Sequence, residues 1–307
     1  MKSIIMCANF DREASSAMLL LLKLNGYVLQ GVIASAGRLP VECSYKNAEI
    51  VLHQVDSTVP VFMGSDKAMV ADMNPLRKTW DKNNPKADFE ADDFSTLFDW
   101  TDANEKEPKV PGTLWLIDYL GKISEPAIIF CCGPLTDIAL ALRVCPHLVS
   151  KIERFIIVGG AHHCADITAS AEFNIWFDPE AAAIVMGSDI PKLLLPLDCA
   201  YSASFSMNEM AFSQTNTTIK ILKKLMHKDQ PMASAHPALL GACCIAKPDI
   251  LNDVIQYSVD IDFNGGYSDG QTIFDTRRIF NDYNCETSFS AKCDLFLATI
   301  REIAESK

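Results

Sequence analysis

Apolar residues come in short runs broken by polar turns, and short runs alternate with longer ones. Ile4 to Ala8 is a short run, closed by Asn9, Asp11 and Arg12. The longer apolar stretch Ala14 to Leu22 follows. The pattern predicts a strand, a turn and a helix. Val28 to Ala34 and Val59 to Gly64 predict two more strands, with helical spacing of Ala48, Ile50, Val51 and Leu52 between them. The alternation continues with a helix over Leu114 to Gly121, a strand over Pro126 to Cys132, a helix through Leu142 and a strand over Phe155 to Val158. An alanine-rich helix is predicted from Pro179 to Met186, with Asp178 as its N-cap. Leu193 to Asp198 predicts a strand, His236 to Ala246 a helix, and residues 291–304 a terminal amphipathic helix. Val259 to Phe263 and Gln271 to Asp275 predict an antiparallel pair around Gly265 and Gly266. Alternating strands and helices imply right-handed crossovers. The expected class is α/β, an open, mostly parallel sheet flanked by helices, with a small antiparallel pair near the C-terminus and a single domain over 1–307. In such sheets ligands bind at the carboxyl ends of the strands, where the first turn lies.

Residues 72–111 break the pattern, being rich in Asp, Asn, Lys and Pro, with Trp80, Phe89, Phe94, Phe98 and Trp100 scattered among them. Disordered linkers are poor in aromatics. Two readings stand: a lid or wall beside the site, or packing onto the body.

Composition narrows the function classes. A net charge of -12 argues against a nucleic-acid-binding surface. Leu19 to Leu22 is stopped by Lys23 and Asn25, far short of a membrane span. The start Met1-Lys2-Ser3-Ile4-Ile5 has no secretory pattern, so a cytoplasmic protein is expected. The 11 cysteines include no C-x-x-C pair and are read as reduced, small apolar side chains.

Several turns together carry a resemblance. Ala171-Glu172-Phe173-Asn174-Ile175-Trp176-Phe177-Asp178-Pro179-Glu180-Ala181-Ala182 resembles the A-E-F/W-N-x-x-x-D-P-x-A-A segment of the nucleoside hydrolases, the inosine-uridine-preferring and purine-specific N-ribohydrolases. Cys132-Gly133-Pro134-Leu135-Thr136-Asp137 resembles that family's T-G-P-L-T-N turn, Val158-Gly159-Gly160-Ala161 its M-G-G-A, and Gly270-Gln271-Thr272 its late G-Q-T. Order and spacing agree from the first strand to about residue 278. Asn74 to Trp80 resembles the purine-preferring subgroup, in which a Trp from this region stacks on the base.

The resemblance implies metal-assisted hydrolysis of an N-glycosidic bond. In the family a Ca²⁺ ion holds the ribose diol and a water, and an Asp takes the water's proton. This chain departs from that pattern at its first turn. The family's D-x-D-x-x-x-D-D aligns with Cys7, Asn9, Glu13 and Ala14. Asn9, at the general-base position, keeps a carbonyl oxygen but no charge, and Ala14 has no ligand atom in its side chain. The family's late His-Asp pair becomes His236-Pro237, which removes another carboxylate. Cys132 retains only a main-chain carbonyl for the ion. Calcium takes about six to eight oxygen ligands, so Asn9, Ala14, Cys132 and Pro237 form a degenerate set, and calcium binding is expected to be weak or absent. Asp11 and Glu13 either form an improvised cation site or stand as two solvated carboxylates, and Glu13 is also a substrate-binding candidate.

On the sugar side, Glu172 and Asn174 match positions that hydrogen-bond ribose hydroxyls. Arg38 stands where the family has an Asn. It serves an anion such as phosphate, neutralises Glu13 or Glu172, or swings out to solvent. His236 matches a His proposed to assist the leaving group, with a core histidine as the alternative. Trp80 and Trp176 are candidates for base stacking, His162 and His163 for reaching the cleft, and Asp198 for a supporting acid.

Three functions follow: a nucleoside hydrolase whose calcium-dependent activity is weak or lost; a non-catalytic homologue binding a nucleoside or a partner; or a hydrolase or transferase acting on a ribosyl phosphate. The expected ligand is a small ribose-containing molecule, with no nucleic acid or membrane, and a homodimer or homotetramer is implied by the family.

Overall fold

The computed structural model describes residues 1–70, 93–98, 100, 110–226 and 233–306. Its first half alternates β1 (Lys2–Ala8), α1 (Arg12–Leu21), β2 (Tyr27–Ala34), α2 (Val41–Gln54), β3 (Val61–Met63), α3 (Gly112–Lys122), β4 (Ala127–Cys132), α4 (Thr136–Val144) and β5 (Ile152–Val158). Then come α5 (Phe173–Phe177), α6 (Pro179–Met186), β6 (Lys192–Leu195), α7 (Leu197–Ser202), α8 (Thr217–Met226) and α9 (Pro237–Ala246). Short strands β7 (Ile255–Tyr257), β8 (Val259–Ile261), β9 (Thr272–Phe274) and β10 (Cys285–Thr287) precede α10 (Cys293–Glu305).

Among the described residues, eight strands form one sheet in the order β3-β2-β1-β4-β5-β6-β10-β7. Every neighbouring pair is parallel except β10 and β7, which run antiparallel. The expected separate pair, β8 and β9, is antiparallel. β1 lies centrally, flanked by β2 and β4, and is apolar on both faces because helices cover both. Ile4, Met6 and Ala8 join a core with Met18 of α1, Leu222 of α8, Leu240 of α9 and Phe296 of α10. Ile5 and Cys7 join the opposite core with Leu116 of α3, Ile138 of α4 and Val185 of α6.

Two expectations change. The strand predicted over Leu193 to Asp198 ends at Leu195, because Pro196 has no N–H for the ladder and caps α7 instead. Asp198 therefore sits in the first turn of a helix. The described aromatics of the 72–111 excursion pack onto the body: Phe94 and Phe98 are buried, and Trp100 meets His53 of α2 edge-on with ring centroids 5.6 Å apart. Asn47 of α2 ties this piece to the first turn, donating to Phe10 O at 2.9 Å and accepting from Phe94 N at 3.1 Å. The lid reading for the rest, and Trp80 with it, lies outside the described residues. Among the described residues no helix is long and apolar enough to cross a membrane.

Candidate active site

A cavity of about 140 Å³ opens at the carboxyl ends of β1, β2, β4 and β5. Its lining comes from the β1–α1 turn (Asn9, Asp11, Glu13, Ala14), Arg38 after β2, Cys132, Val158, Asp166, Glu172 and Asn174, Leu197, and the start of α9 (Pro237, Ala238). The turn's position in the sheet thus delivers it to the cavity, as the strand order requires.

The turn spends its polar atoms on the protein. Asn9 is buried. Its Nδ2 donates to Ser35 O at 2.8 Å and Leu39 O at 3.0 Å, and its Oδ1 accepts from Leu39 N at 2.9 Å. The amide therefore clamps the loop between β2 and α2. Gly37 is required there, because a Cβ would come 2.8 Å from Asn9 Cγ. Asp11 caps α1, accepting from Ala14 N at 2.9 Å. Glu13 turns to His236, with Oε1 2.6 Å from Nδ1. Asp11 and Glu13 are therefore not two solvated carboxylates. Cys7 faces the core below, hydrogen-bonded to Cys131, which together with burial pushes its thiol far up. Burial, then the Asp11, Cys131 and Glu13 charges, do the same to Cys132.

The opposite wall is built on a glycine turn. Gly160 adopts φ +77, a left-handed conformation natural to glycine, and its N–H donates to Glu172 Oε2 at 2.9 Å. Ile175 N donates to the same oxygen at 3.2 Å, so Glu172 caps α5. Burial, then the negative charge of Asp166, push the Glu172 carboxyl up to about 7. Near neutral pH this acid is poised between its protonated and ionised forms. Asn174 lines the cavity and donates from Nδ2 to Val158 O at 3.3 Å.

Arg38 takes none of its expected partners. It pairs with Asp166, Nη2 to Oδ2 at 2.5 Å, and lies 4.5 Å from the Phe173 ring centroid. The other Asp166 oxygen accepts from Phe173 N at 2.9 Å. Burial raises the Asp166 carboxyl, and Arg38 opposes that rise. Sequence reading missed Asp166; the available signal was an acid in the loop between two recognised turns.

Other candidates lie apart from the cavity. Trp176 packs with Ala171 and Phe173, and a Cβ on Gly270 would touch its backbone at 2.6 Å. Asp198 accepts from His162 N at 2.7 Å and His163 N at 2.8 Å, so it shapes the loop after β5. The His162 ring packs on Phe274 and Phe289. His236 is buried against Phe205 and reaches the cavity only through Glu13. Among the described residues no group of three or more His, Cys, Asp or Glu is placed to hold a metal ion.

Comparison with known proteins identifies the family. The family model "Inosine-uridine preferring nucleoside hydrolase" matches residues 12–296. A non-specific ribonucleoside hydrolase, RihC, of Escherichia coli (strain SE11) is 30% identical over 252 residues, covering 80% of this chain and 79% of the relative. The solved inosine-guanosine nucleoside hydrolase (IG-NH) superposes with a TM-score of 0.85 at 18% identity, covering 99% of both chains. The inosine-uridine preferring nucleoside hydrolase from Bacillus anthracis gives 0.80 at 20% identity, with 100% of both chains covered. At these identities the structures speak for the fold, and the family model and the RihC relative carry the rest: the chain belongs to the inosine-uridine preferring nucleoside hydrolase family.

Proposed function

We propose that the cavity takes a ribonucleoside sugar first, against Glu172 and Asn174, and that hydrolysis of its N-glycosidic bond through a calcium ion is weak or absent. The carrying observation is Asn9. At the position where the family's pattern has the water-activating acid, this side chain is a neutral amide with both of its hydrogens on backbone carbonyls. It can neither take a proton nor turn toward an ion without breaking the loop it holds.

The donor set does not fit calcium. Ala14 and Pro237 carry no side-chain oxygen, Asp11 caps a helix and Glu13 is bonded to His236. What remains near the turn is too few oxygens, with too little charge, to replace the hydration shell of a divalent ion. A positioned general base contributes about 10²–10⁴-fold, roughly 3–5 kcal/mol of barrier, so losing it together with the ion leaves little of the family's calcium route. The sugar wall is supported by Glu172, held at about 7 by burial, in a place suited to bonding hydroxyls in either protonation state. The ribosyl phosphate reading is disfavoured because Asp166 already occupies Arg38.

Calorimetric titration with inosine, guanosine and uridine, paired with a reducing-sugar assay in calcium, tests this. Binding that persists in chelator and is lost in Glu172→Ala is expected, with no calcium-stimulated release of ribose. Calcium-stimulated release would refute the reading.

A further inference from the structure

We propose that Ser234, His236 and Glu13 form a nucleophile, base and acid chain, and that Ser234 is the nucleophile of a second activity, the hydrolysis of small carboxylic esters. Ser234 meets the imidazole at the nitrogen that faces away from the cavity carboxylate, so this activity is independent of what the cavity binds.

The geometry begins with Ser234-Ala235-His236, the stretch that leads into α9. Ser234 pairs with Phe205 in an isolated antiparallel bridge, N to O at 3.0 Å and O to N at 3.1 Å. In extended backbone, side chains two residues apart share a face. Ser234 Oγ accordingly lies 3.2 Å from His236 Nε2. Helix packing supplies the third member. Glu13 stands in the first turn of α1, and α1 and α9 share one core through Met18 and Leu240. Glu13 Oε1 is thereby brought to 2.6 Å from His236 Nδ1. A ring nitrogen facing a carboxylate carries its hydrogen, which leaves Nε2 of the neutral ring to accept the hydrogen of Ser234. The acid is on one ring nitrogen and the hydroxyl on the other, the arrangement that activates a serine.

The surroundings suit that use. His236 is buried under the Phe205 ring, with centroids 4.3 Å apart, so the imidazole is held in place. Glu13 Oε2 is shielded from solvent and has no hydrogen-bond partner, so the carboxylate is held through Oε1 and gains most when the ring is protonated. Ser234 itself is partly exposed and open to a reagent. The hydroxyls of Ser16, Ser202 and Ser288, by contrast, donate to backbone carbonyls, which take no proton.

In the step, Ser234 Oγ bonds to the ester carbonyl carbon while its proton passes to His236 Nε2. The adduct collapses as the bond to the alcohol oxygen breaks, and the alcohol leaves with the electron pair and the proton from Nε2. Water then attacks the acyl-serine by the same route, releasing the acid and returning the proton to Ser234. Water is the sole co-reactant. Glu13 does not touch the ester; it is a positioning residue that fixes the ring tautomer and offsets the imidazolium charge. Ser234 N already donates to Phe205 O, so the serine's own amide does not serve the oxyanion. Such a donor is worth about 10²–10³ in kcat, which makes an activated ester the fitting probe.

The test treats the full chain, in EDTA, with a fluorophosphonate reagent and with p-nitrophenyl acetate. Stoichiometric labelling that peptide mass spectrometry maps to Ser234 is expected, together with nitrophenolate release. Ser234→Ala should lose the label and lower the release about 100-fold or more. Glu13→Gln should slow labelling to a similar extent while the final stoichiometry stays the same, whereas a folding defect would lower the stoichiometry. A chain that takes no label, or takes it at another residue, overturns the proposal. So does release that Ser234→Ala leaves unchanged. Labelling at Ser234 without release of nitrophenolate overturns ester hydrolysis, and labelling whose rate Glu13→Gln leaves unchanged overturns the role of the acid.

Discussion

The two walls of the cavity use their polar side chains in opposite ways. On the β5 side, Glu172 is fixed by two backbone N–H groups on one oxygen, and it stays an acid at the cavity with its carboxyl raised to about 7. On the β1 side, Asn9 gives its whole amide to the β2–α2 loop, and Glu13 gives one oxygen to His236. In the first wall, backbone holds a carboxylate at the cavity. In the second, side chains hold backbone or one another. The two walls can differ in this way because they hang from different strands, β1 and β5.

The sharpest way to break this contrast is to restore the acid at position 9. Asn9→Asp would set a carboxylate against the Ser35 and Leu39 carbonyls that now accept from Nδ2. Two buried bonds are lost and a charge is left uncompensated, so unfolding in denaturant should show a loss of about 3–5 kcal/mol. Calcium affinity should not return. A stable Asn9→Asp protein would mean that the loop does not depend on the clamp.

On the other wall the contrast is sharpened by pH. A carboxyl at about 7 in the folded chain and near 4.5 when unfolded binds more protons folded than unfolded between those values. Its stabilising contribution is full below pH 4.5 and declines as pH rises to 7, by up to about 3 kcal/mol at roughly 1.4 kcal/mol per pH unit. Thermal melts of Glu172→Gln across this range should lack that decline. A wild-type curve with the same slope as the variant would contradict the burial assigned to Glu172.

Much of the fold was legible because periodicity carries it. The apolar runs at Ile4 to Ala8 and Pro126 to Cys132 mark strands covered on both faces, and Asp178-Pro179 marks a helix start that the structure keeps. Strands β7 and β10 are three residues each, too short for a pattern to register. The candidate site was legible as a set of positions, since strand order places turns together. Its pairings were not. Nothing in the spacing of Glu13 and His236, or of Arg38 and Asp166, says that each finds the other. Those contacts depend on the α1–α9 packing and on a loop after β5 whose path is set by Asp198.

The smallest effect expected is at Arg38. Its side chain is about half exposed, at 52%, so solvent screens the pair with Asp166. Arg38→Ala should change stability by less than about 1 kcal/mol. It should leave nucleoside binding independent of phosphate. A binding signal that needs phosphate and disappears in Arg38→Ala would return the ribosyl phosphate reading.

The central claim is that this cavity works with its sugar without calcium, and calcium titration calorimetry on the full chain tests it most directly. With calcium raised to about 1 mM, which exceeds the dissociation constants of most sensor sites, the account predicts no saturable heat and a ribose affinity that calcium leaves unchanged. Stoichiometric calcium binding that tightens ribose binding would contradict it.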